Sequence, residues 1–297
     1  MVSIFTPTYN RAYILPVLYE SLKRQTCRDF EWIIVDDGST DNTEELVASW
    51  EKDKNDFPII YRKQKNGGKH TAINYGVTLA SYEWFFIVDS DDYLRDDAVE
   101  KVCEWTKEKL PQDIAAVSGT GCFKNMVTIG GQTKFNGEYC DCKNNERKKY
   151  GLLGDKAEVY RTEILKKYPF PVFEGEKFLS ECAVWDKIAL EGYKIRWYDY
   201  PLMVCEYLED GLTAKVSGND LELKNFQGYT YITRQRIKAY KGLDRYRYIC
   251  AYITMAQKKQ MSCKEMAQSL GVSENTMCRW KIASDAKKFV KRVLGKA

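Results

Sequence analysis

The first hundred residues alternate between short apolar runs and stretches with helical spacing. The runs VSIFTPTY, EWIIVDDGS, FPIIYRKQ and EWFFIVD predict four buried strands, the first of which we expect to stop at Pro7. Between the first two, AYILPVLYESLKRQT places Leu15, Leu18 and Leu22 on one helical face, with Pro16 in the first turn. Strands that alternate with helices predict an α/β fold built on a mostly parallel, doubly wound sheet.

Two further helices continue this alternation. Asp41 and Glu44 have the spacing of a capping box and predict the start of a helix that runs through Trp50. The stretch KHTAINYGVTLA predicts another helix, between the third and fourth strands.

The remainder of the chain falls into a mixed part and a helical part. Residues 111–150 predict strands and loops, SECAVWDKIALEG predicts a helix, and KIRWYDY and LMVCEYL predict two short strands. From about Asn219 onward the pattern is helical. We therefore expect a main body over residues 1–214 and a helical extension over residues 215–297.

Charge is distributed unevenly between these two parts. The net charge is +4, but residues 215–297 carry 18 basic and 6 acidic residues, while the preceding residues carry 28 and 36. The balances are thus +12 and −8, and a basic extension favours an anionic membrane surface or a nucleic acid as its partner. The start MVSIFTPTYN lacks the features of a secretory signal, and no apolar run is long enough to span a membrane, so we expect a cytoplasmic protein.

The ten cysteines do not form a recognisable framework. They are scattered, and the closest pair, Cys140 and Cys142, has no second pair nearby and only one histidine, His70, in the chain. We expect reduced thiols and no zinc site.

Three polar clusters follow predicted strands. They are Pro7-Thr8-Tyr9-Asn10, Asp36-Asp37-Gly38-Ser39 and Asp89-Ser90-Asp91-Asp92. Because ligands of open α/β sheets bind beyond the carboxyl ends of the strands, we expect the clusters to converge on one rim. Crowding of Asp89, Asp91 and Asp92 predicts a divalent cation, Mn²⁺ or Mg²⁺, among hard oxygen ligands. The alternative is a solvated acidic turn that caps a helix over residues 96–105.

Five ordered motifs resemble those of family 2 inverting glycosyltransferases, including bacterial surface-polysaccharide enzymes. They are TPTYN (6–10), VDDGSTDNT (35–43), NGGKHTAINYG (66–76), VDSDDYL (88–94) and FEGEKFLSECAVWDKIA (173–189). The resemblance implies a GT-A fold with a nucleotide-binding half (1–110) and an acceptor-binding half (111–214). It also implies transfer of a sugar from a nucleotide donor, most often UDP-linked, to a hydroxyl of a glycan or lipid-linked acceptor.

The resemblance also assigns roles on the donor side. Asp91 would be the principal metal ligand and catalytic, Asp89 would contact the ribose or donor sugar, and Asp92 would assist. Ser90, between them, belongs to the same donor-binding segment, and Lys69 would offset diphosphate charge.

Further donor contacts are implied at the base and beside the diphosphate. Asp37 resembles the carboxylate that bonds uracil, Tyr9 the ring that stacks on the base, and Thr6 and Pro7 line that wall through their backbones. Asn74 lies a turn beyond Lys69 on the same helix. For Asp36, Asp37 and Ser39 the alternative is turn and capping chemistry, and for Lys69 and His70 it is a solvated helix start.

The acceptor hydroxyl must lose a proton, and the resemblance implies a carboxylate base. The family usually has a Glu-Asp pair where this chain has Glu181-Cys182, so the base is assigned to Glu181, with Asp186 as the fallback. Because thiols are poor substitutes for carboxylates, a catalytically impaired sugar-nucleotide binder is an alternative function. Trp185 could contact an acceptor sugar or lie in the core.

Two other acids, Asp155 and Glu176, could bind acceptor hydroxyls or lie on the surface.

The extension allows three interpretations. The segment SDAKKFVKRVLGKA has an interfacial amphipathic pattern, which suits peripheral contact with a membrane, but an ordinary packed helix fits equally well. The segment CKEMAQSLGVSENTMCRWK (263–281) resembles a helix-turn-helix, although we do not expect nucleic acid as the partner of a transferase. The apolar positions of the amphipathic pattern are Phe289, Val290, Val293 and Leu294, and the basic ones are Lys287, Lys288, Lys291 and Arg292.

Overall fold

A computed structural model describes residues 1–207 and 220–293, with side chains up to residue 286. Nine strands in these ranges form a single sheet. The strands are β1 (Val2–Thr8), β2 (Phe30–Asp36), β3 (Ile59–Lys63), β4 (Trp84–Ile87), β5 (Tyr93–Leu94), β6 (Ile114–Cys122), β7 (Tyr139–Cys142), β8 (Lys156–Arg161) and β9 (Lys194–Val204).

The sheet is mixed, with the order β3-β2-β1-β4-β8-β6-β9-β5 and with β7 also paired to β9. The predicted parallel arrangement holds for β3, β2, β1 and β4, and β6 is parallel to β9. The antiparallel strands are β8, which pairs with both β4 and β6, and the short strands β5 and β7. The chain enters β8 through a 3-10 helix (Asn144–Tyr150) and a loop, so no helical crossover enforces a parallel pairing there.

Helices cover both faces of the sheet. On one face, α1 (Leu15–Lys23), α2 (Thr43–Lys52) and α4 (Ala98–Lys107) pack in a core with the indole of Trp32. On the other, α3 (Lys69–Leu79), α5 (Thr162–Lys167) and α6 (Cys182–Leu190) pack around Phe5 and Trp197. The α/β prediction is thus confirmed.

Several local predictions need correction. Strand β1 continues through Pro7 to Thr8, because Pro7 directs its missing N–H to the side on which β4 has already ended. The two short strands after α6 form one strand, β9. Asp41 and Glu44 make no capping box, since the Asp41 carboxylate accepts from Thr43 and Ala12 while Glu44 pairs with a lysine on β3.

The predicted helical extension is present over the described residues from 220 onward. It consists of α7 (Asp220–Lys224), α8 (Phe226–Ala239), α9 (Gly242–Lys258), α10 (Cys263–Leu270) and α11 (Glu274–Val293). Helices α8 to α11 enclose a core of their own, around Tyr252, Ile253 and Met277. The expected boundary at residues 214 and 215 lies outside the described residues, as do the side chains of the amphipathic pattern from Lys287 onward.

All ten cysteines are free thiols, three of them buried. Within the described ranges, no helix combines the length and hydrophobicity that a membrane-spanning helix needs.

Candidate active site

The carboxyl ends of β1, β2 and β4 meet at one edge of the sheet. The Asp37 amide donates to the Thr8 carbonyl at 2.8 Å, and the Val88 amide donates to the Phe5 carbonyl at 2.9 Å. The three polar clusters that follow these strands therefore converge on one rim, as predicted.

Asp37 is buried and organises the glycine loop before α3. Its carboxylate accepts from the Gly67 amide at 2.8 Å, the Gly68 amide at 2.7 Å and Gln64 Nε2 at 2.8 Å. A carboxylate offers about four acceptor directions, so capacity for one further hydrogen bond is left. Pairing of Asp37 with a nucleotide base stays a prediction.

Asp36 stabilises the turn that follows β2. It is fully buried, and it accepts from the Ser39 amide at 2.7 Å and from the Tyr61 hydroxyl at 2.6 Å. Burial, with Asp36 beside it, raises the pKa of Tyr61. Asp36 is thus committed to the structure of the rim.

Of the residues expected to contact the nucleotide base, some are buried in the core and one is exposed on the surface. Thr6 is buried, and its hydroxyl accepts from Trp32 Nε1 at 3.0 Å, so only its backbone is free to line a nucleotide site. Pro7 is paired with Val35 within the sheet. Tyr9, just past β1, is 47% exposed and therefore available for stacking.

Gly68 is required by the loop that presents Lys69. Its φ is +93°, and a Cβ at this position would lie 1.9 Å from the Lys177 carbonyl oxygen. The backbone of the loop thereby packs closely against the segment that leads into α6.

Lys69 joins two predicted site residues. Its Nζ lies 2.7 Å from a carboxylate oxygen of Asp89 and 2.6 Å from one of Glu181. Burial alone would lower the pKa of Lys69, but the two carboxylates outweigh it and raise that pKa above its ordinary value. A single ammonium group thus links the predicted donor side to the predicted base.

Asp91 and Asp92, the other two aspartates of the rim, have among the described residues no ion pair comparable to that between Asp89 and Lys69. Burial and the charge of Asp89 raise the pKa of Asp91. Burial, reinforced by Asp89 and Asp91, raises the pKa of Asp92 to about 8, although its carboxylate accepts from the Glu206 amide at 3.2 Å. Ser90 is buried between them. The rim therefore holds more negative charge than Lys69 alone offsets.

Binding of a divalent cation at this rim stays a prediction. Carboxylate oxygens are ligands that Mg²⁺ and Mn²⁺ prefer, and in the described part of the chain no other residue hydrogen-bonds or ion-pairs with the Asp91 carboxylate. Among the same residues, no group of three or more His, Cys, Asp and Glu side chains is arranged to hold a metal alone. An ion would need oxygen atoms from a bound diphosphate, as Mg²⁺ at phosphate sites commonly does.

Glu181 stands at the N-terminal end of α6, next to Lys69. Burial would raise its pKa, but Lys69 outweighs that effect, and the pKa of Glu181 is lowered. Its side chain keeps 33% of its surface exposed. Glu181 is thus an ionised and accessible carboxylate at the rim.

Cys182 and Asp186 face the helical extension. Arg236 on α8 donates to Cys182 Sγ at 3.2 Å, and its Nε lies 3.6 Å from Asp186 Oδ2. Asp186 is 2% exposed and also accepts from Asn144 at 3.1 Å. Asp186 is therefore an interface residue, which weakens it as a fallback base.

Three neighbours of the site have mainly structural contacts. The amide of Asn74 donates to the Phe170 carbonyl and accepts from the Phe170 amide, both at 2.8 Å, and its donor role stays a prediction. His70 is 2% exposed, and burial lowers its pKa. Trp185 stacks on Tyr160 at 4.1 Å and belongs to the core.

The two other acids differ in their surroundings. Glu176 accepts from the Gln227 and Gly228 amides at 2.7 and 2.8 Å, so it caps α8. Asp155 is exposed and accepts from the Tyr207 hydroxyl. Only Asp155 keeps a surface position from which an acceptor could be reached.

Arg236 and Gln64 were not predicted from the sequence. Arg236 lies 54 residues from the cysteine it contacts, and Gln64 reaches Asp37 from the end of β3. No local pattern marks either residue, although the acid missing at Cys182 could have prompted a search for a compensating partner.

Comparisons with known proteins agree with this arrangement. The sequence model of the family described as Glycosyl transferase family 2 matches residues 3–168. A PGL/p-HBAD biosynthesis glycosyltransferase of Mycobacterium bovis (strain BCG / Pasteur 1173P2) is 37% identical over 115 residues, covering 38% of this chain and 44% of that protein. The glycosyltransferase GlyG of Streptococcus pneumoniae serotype 4 is 34% identical over 109 residues, covering 37% and 36%. The chain thus matches less than half the length of these relatives.

Solved structures share the fold. TarS of S. aureus, in complex with UDP-GlcNAc, has a TM-score of 0.63 at 20% identity, covering 86% of this chain and 72% of that chain. The mannosyltransferase PcManGT of Pyrobaculum calidifontis, in complex with GDP-Man and Mn²⁺, has a TM-score of 0.54 at 18% identity, covering 100% and 80%. The expected GT-A fold with additional C-terminal helices is confirmed.

Proposed function

Since the chain belongs to glycosyl transferase family 2, we propose that it transfers a sugar, with inversion, from a UDP-linked donor to a hydroxyl group of a glycan or lipid-linked acceptor. The observation that carries this proposal is the bridge from Lys69 to both Asp89 and Glu181. It joins a diphosphate-side carboxylate to a base within one ion-pair network. A role in surface glycan assembly rests on the family resemblance.

On the donor side, Tyr9 stacks on the base and Asp37 accepts a hydrogen bond from it, while Asn74 supports the helix behind them. Asp89 and Ser90 hold the ribose and the donor sugar, and Lys69 offsets the charge of the diphosphate. Asp91, with Asp89 and Asp92, would hold Mn²⁺ or Mg²⁺. That cation would supply charge stabilisation for the leaving diphosphate.

On the acceptor side, Glu181 is the base. As the acceptor oxygen bonds to the anomeric carbon, its proton passes to the Glu181 carboxylate and the bond from that carbon to the diphosphate breaks. The lowered pKa of Glu181 keeps it ionised at neutral pH and ready to accept the proton. Lys69 holds the carboxylate in place for this step.

The helical extension gives the enzyme a membrane-facing surface at the cytoplasmic side. Its described helices expose Leu243 and Ile282, 75% and 70% of whose surfaces are accessible. Exposed apolar groups among basic ones suit an anionic membrane better than a nucleic acid, although α10 and α11 are joined by a short turn at Gly271. The exposed basic residues include Lys241, Arg245, Arg247, Lys258, Lys259, Lys264 and Arg279.

A donor-hydrolysis screen tests the function. We expect the enzyme to release nucleoside diphosphate from one nucleotide sugar in the presence of Mn²⁺ or Mg²⁺, and Glu181→Gln to remove this activity. Glu191→Gln, at the exposed end of the same helix, is the matched control and keeps it. Binding of UDP without turnover of any donor would support the catalytically impaired binder instead.

The membrane surface is tested separately by flotation. We expect the full chain to float with vesicles containing anionic lipids and not with neutral vesicles. Salt-sensitive retention on DNA without flotation would contradict the proposal and favour the helix-turn-helix interpretation.

A further inference from the structure

Strand β8 presents a row of polar groups toward α6. Alternate residues of a strand point to opposite faces, and Ala157 and Val159 pack in the core with α1, α2 and α4. Lys156, Glu158 and Tyr160 therefore face the other side, where Tyr160 joins the core under α3 and α6. The glutamate lies between a lysine at the rim and a tyrosine in the core.

Helix α6 brings Glu181 near enough to Glu158 for its charge to act on that carboxylate. The rings of Tyr160 and Trp185 stack at 4.1 Å, which fixes the helix on the strand. Glu181 lies four residues before Trp185, about 6 Å along the helix. Glu158 lies two residues before Tyr160, about 7 Å along the strand.

The direction from Trp185 to Glu181 along α6 and the direction from Tyr160 to Glu158 along β8 both lead toward the rim. Strand β8 is antiparallel to β4, with Val159 paired to Phe86, so its beginning lies beside the end of β4 and its aspartates. The N-terminal end of α6 is held at the same edge by Lys69. The two glutamates thus lie toward the same edge of the sheet, one on β8 and one on the helix packed against it.

The carboxylate of Glu158 has little to satisfy it within the described residues. Its closest charged partner is Arg147, whose Nη1 lies 3.9 Å away, beyond hydrogen-bond distance. Arg147 is committed to the carbonyls of Leu152 and Gly154, at 3.1 and 2.8 Å. The Glu158 side chain is only 15% exposed. A mostly buried acid whose carboxylate hydrogen-bonds to no other described residue is typical of a group that awaits a ligand.

We propose that Glu158 is the second acid of the active site and binds the attacking hydroxyl group beside Glu181. It takes the place of the acid that Cys182 does not supply, but from the sheet instead of from α6. This inference rests on the proposed glycosyl transfer. The ligand is a hydroxyl group, of water during donor hydrolysis and of a sugar or lipid-linked sugar during transfer.

The charges around Glu158 make its ionisation measurable. Burial raises its pKa to about 7; Arg147 and Lys156 act in the opposite direction, and Glu181 adds to the rise. Hydrolysis that depends on this carboxylate should therefore change across neutral pH.

Donor hydrolysis by Glu158→Gln tests the proposal. We expect kcat with water as the acceptor to fall about 10- to 100-fold, with the KM for the nucleotide sugar unchanged, because a hydrogen bond to a charged group is lost only at the nucleophile. The ionisation near neutral pH should disappear from the kcat profile. Glu158→Asp should retain that ionisation at a reduced rate.

The matched control is Tyr160→Phe, which removes one polar atom from the same face of the same strand. It should leave kcat and the pH profile unchanged. An unchanged kcat profile in Glu158→Gln, or a KM that rises in step with the loss of activity, would overturn the inference. If the wild-type enzyme hydrolyses a nucleotide sugar in those experiments, the proposed function stands whatever the result for Glu158. If the wild-type enzyme hydrolyses no nucleotide sugar, the proposed function and the role of Glu158 are both refuted.

Discussion

Replacing Glu158 by glutamine should stabilise the protein at alkaline pH. Glutamine keeps the shape of the side chain and removes a charge that is 85% shielded from solvent and has no hydrogen bond to another described residue. An acid whose pKa is raised on folding binds its proton more tightly in the folded state. Its contribution is therefore present at low pH and is lost as pH rises through the unfolded and then the folded pKa.

The pKa of Glu158 determines the size of this effect. It is raised from an ordinary value of 4.5 to about 7. Each unit corresponds to about 1.4 kcal/mol, so between pH 4.5 and pH 8 wild-type stability should fall by about 3 kcal/mol on account of this group. Because glutamine does not titrate, the Glu158→Gln variant should not show this fall in stability between pH 4.5 and pH 8.

Urea unfolding of both proteins at pH 4.5 and pH 8 measures the difference. The free energy of unfolding of Glu158→Gln, minus that of wild type, should be about 3 kcal/mol larger at pH 8 than at pH 4.5. Glu104→Gln, on the exposed side of α4, controls for replacing a glutamate. Equal differences at the two pH values would refute the burial of an unsatisfied acid at this position.

Three further predictions concern the glycine loop, the Lys69 bridge and the helical extension. Gly68→Ala should destabilise the protein by at least about 2 kcal/mol in urea unfolding, because its Cβ meets the Lys177 carbonyl. Gly131→Ala, also at positive φ but facing open space, should destabilise it by about 1 kcal/mol. Equal losses of stability in the two variants would contradict this prediction. Lys69→Met should lower donor hydrolysis at least about 100-fold, and full activity would exclude the bridge from the mechanism. Glu176→Ala should lower the free energy of unfolding by about 1 to 2 kcal/mol, because two amides at the start of α8 lose their hydrogen-bond acceptor. The variant should also be cleaved faster by proteases within the extension, and an unchanged cleavage rate would argue against the cap.

Sequence patterns were sufficient for the first four strands and the helices between them. Strands such as IIV in β2 are buried on both faces and read as continuous apolar runs, which is how parallel strands under two helical layers appear. The same reasoning placed three polar clusters at the ends of adjacent strands. Strand order beyond β4 could not be derived, because β8 pairs with β4 over separations of 73 to 77 residues and with β6 over separations of 36 to 44 residues.

Predictions for single site residues depended on what lies opposite each side chain. Lys69 and Glu181 were marked by motifs, but their common ion pair spans 112 residues and emerges only in the fold. Asn74 looked like a donor ligand, and its contact is the backbone of Phe170. Glu158 lies in KAEVYR, whose alternation resembles a strand with one face in water, and only the helix packed on that face shows that it is buried.

Calorimetric titration of UDP tests the central claim most directly, namely that the rim binds a nucleoside diphosphate together with a cation. The wild-type chain should bind UDP at least about tenfold more tightly with Mn²⁺ than with a chelator, and Asp91→Asn should lose that gain while retaining cation-free binding. Equal affinity with and without Mn²⁺, or a full gain in Asp91→Asn, would contradict the account.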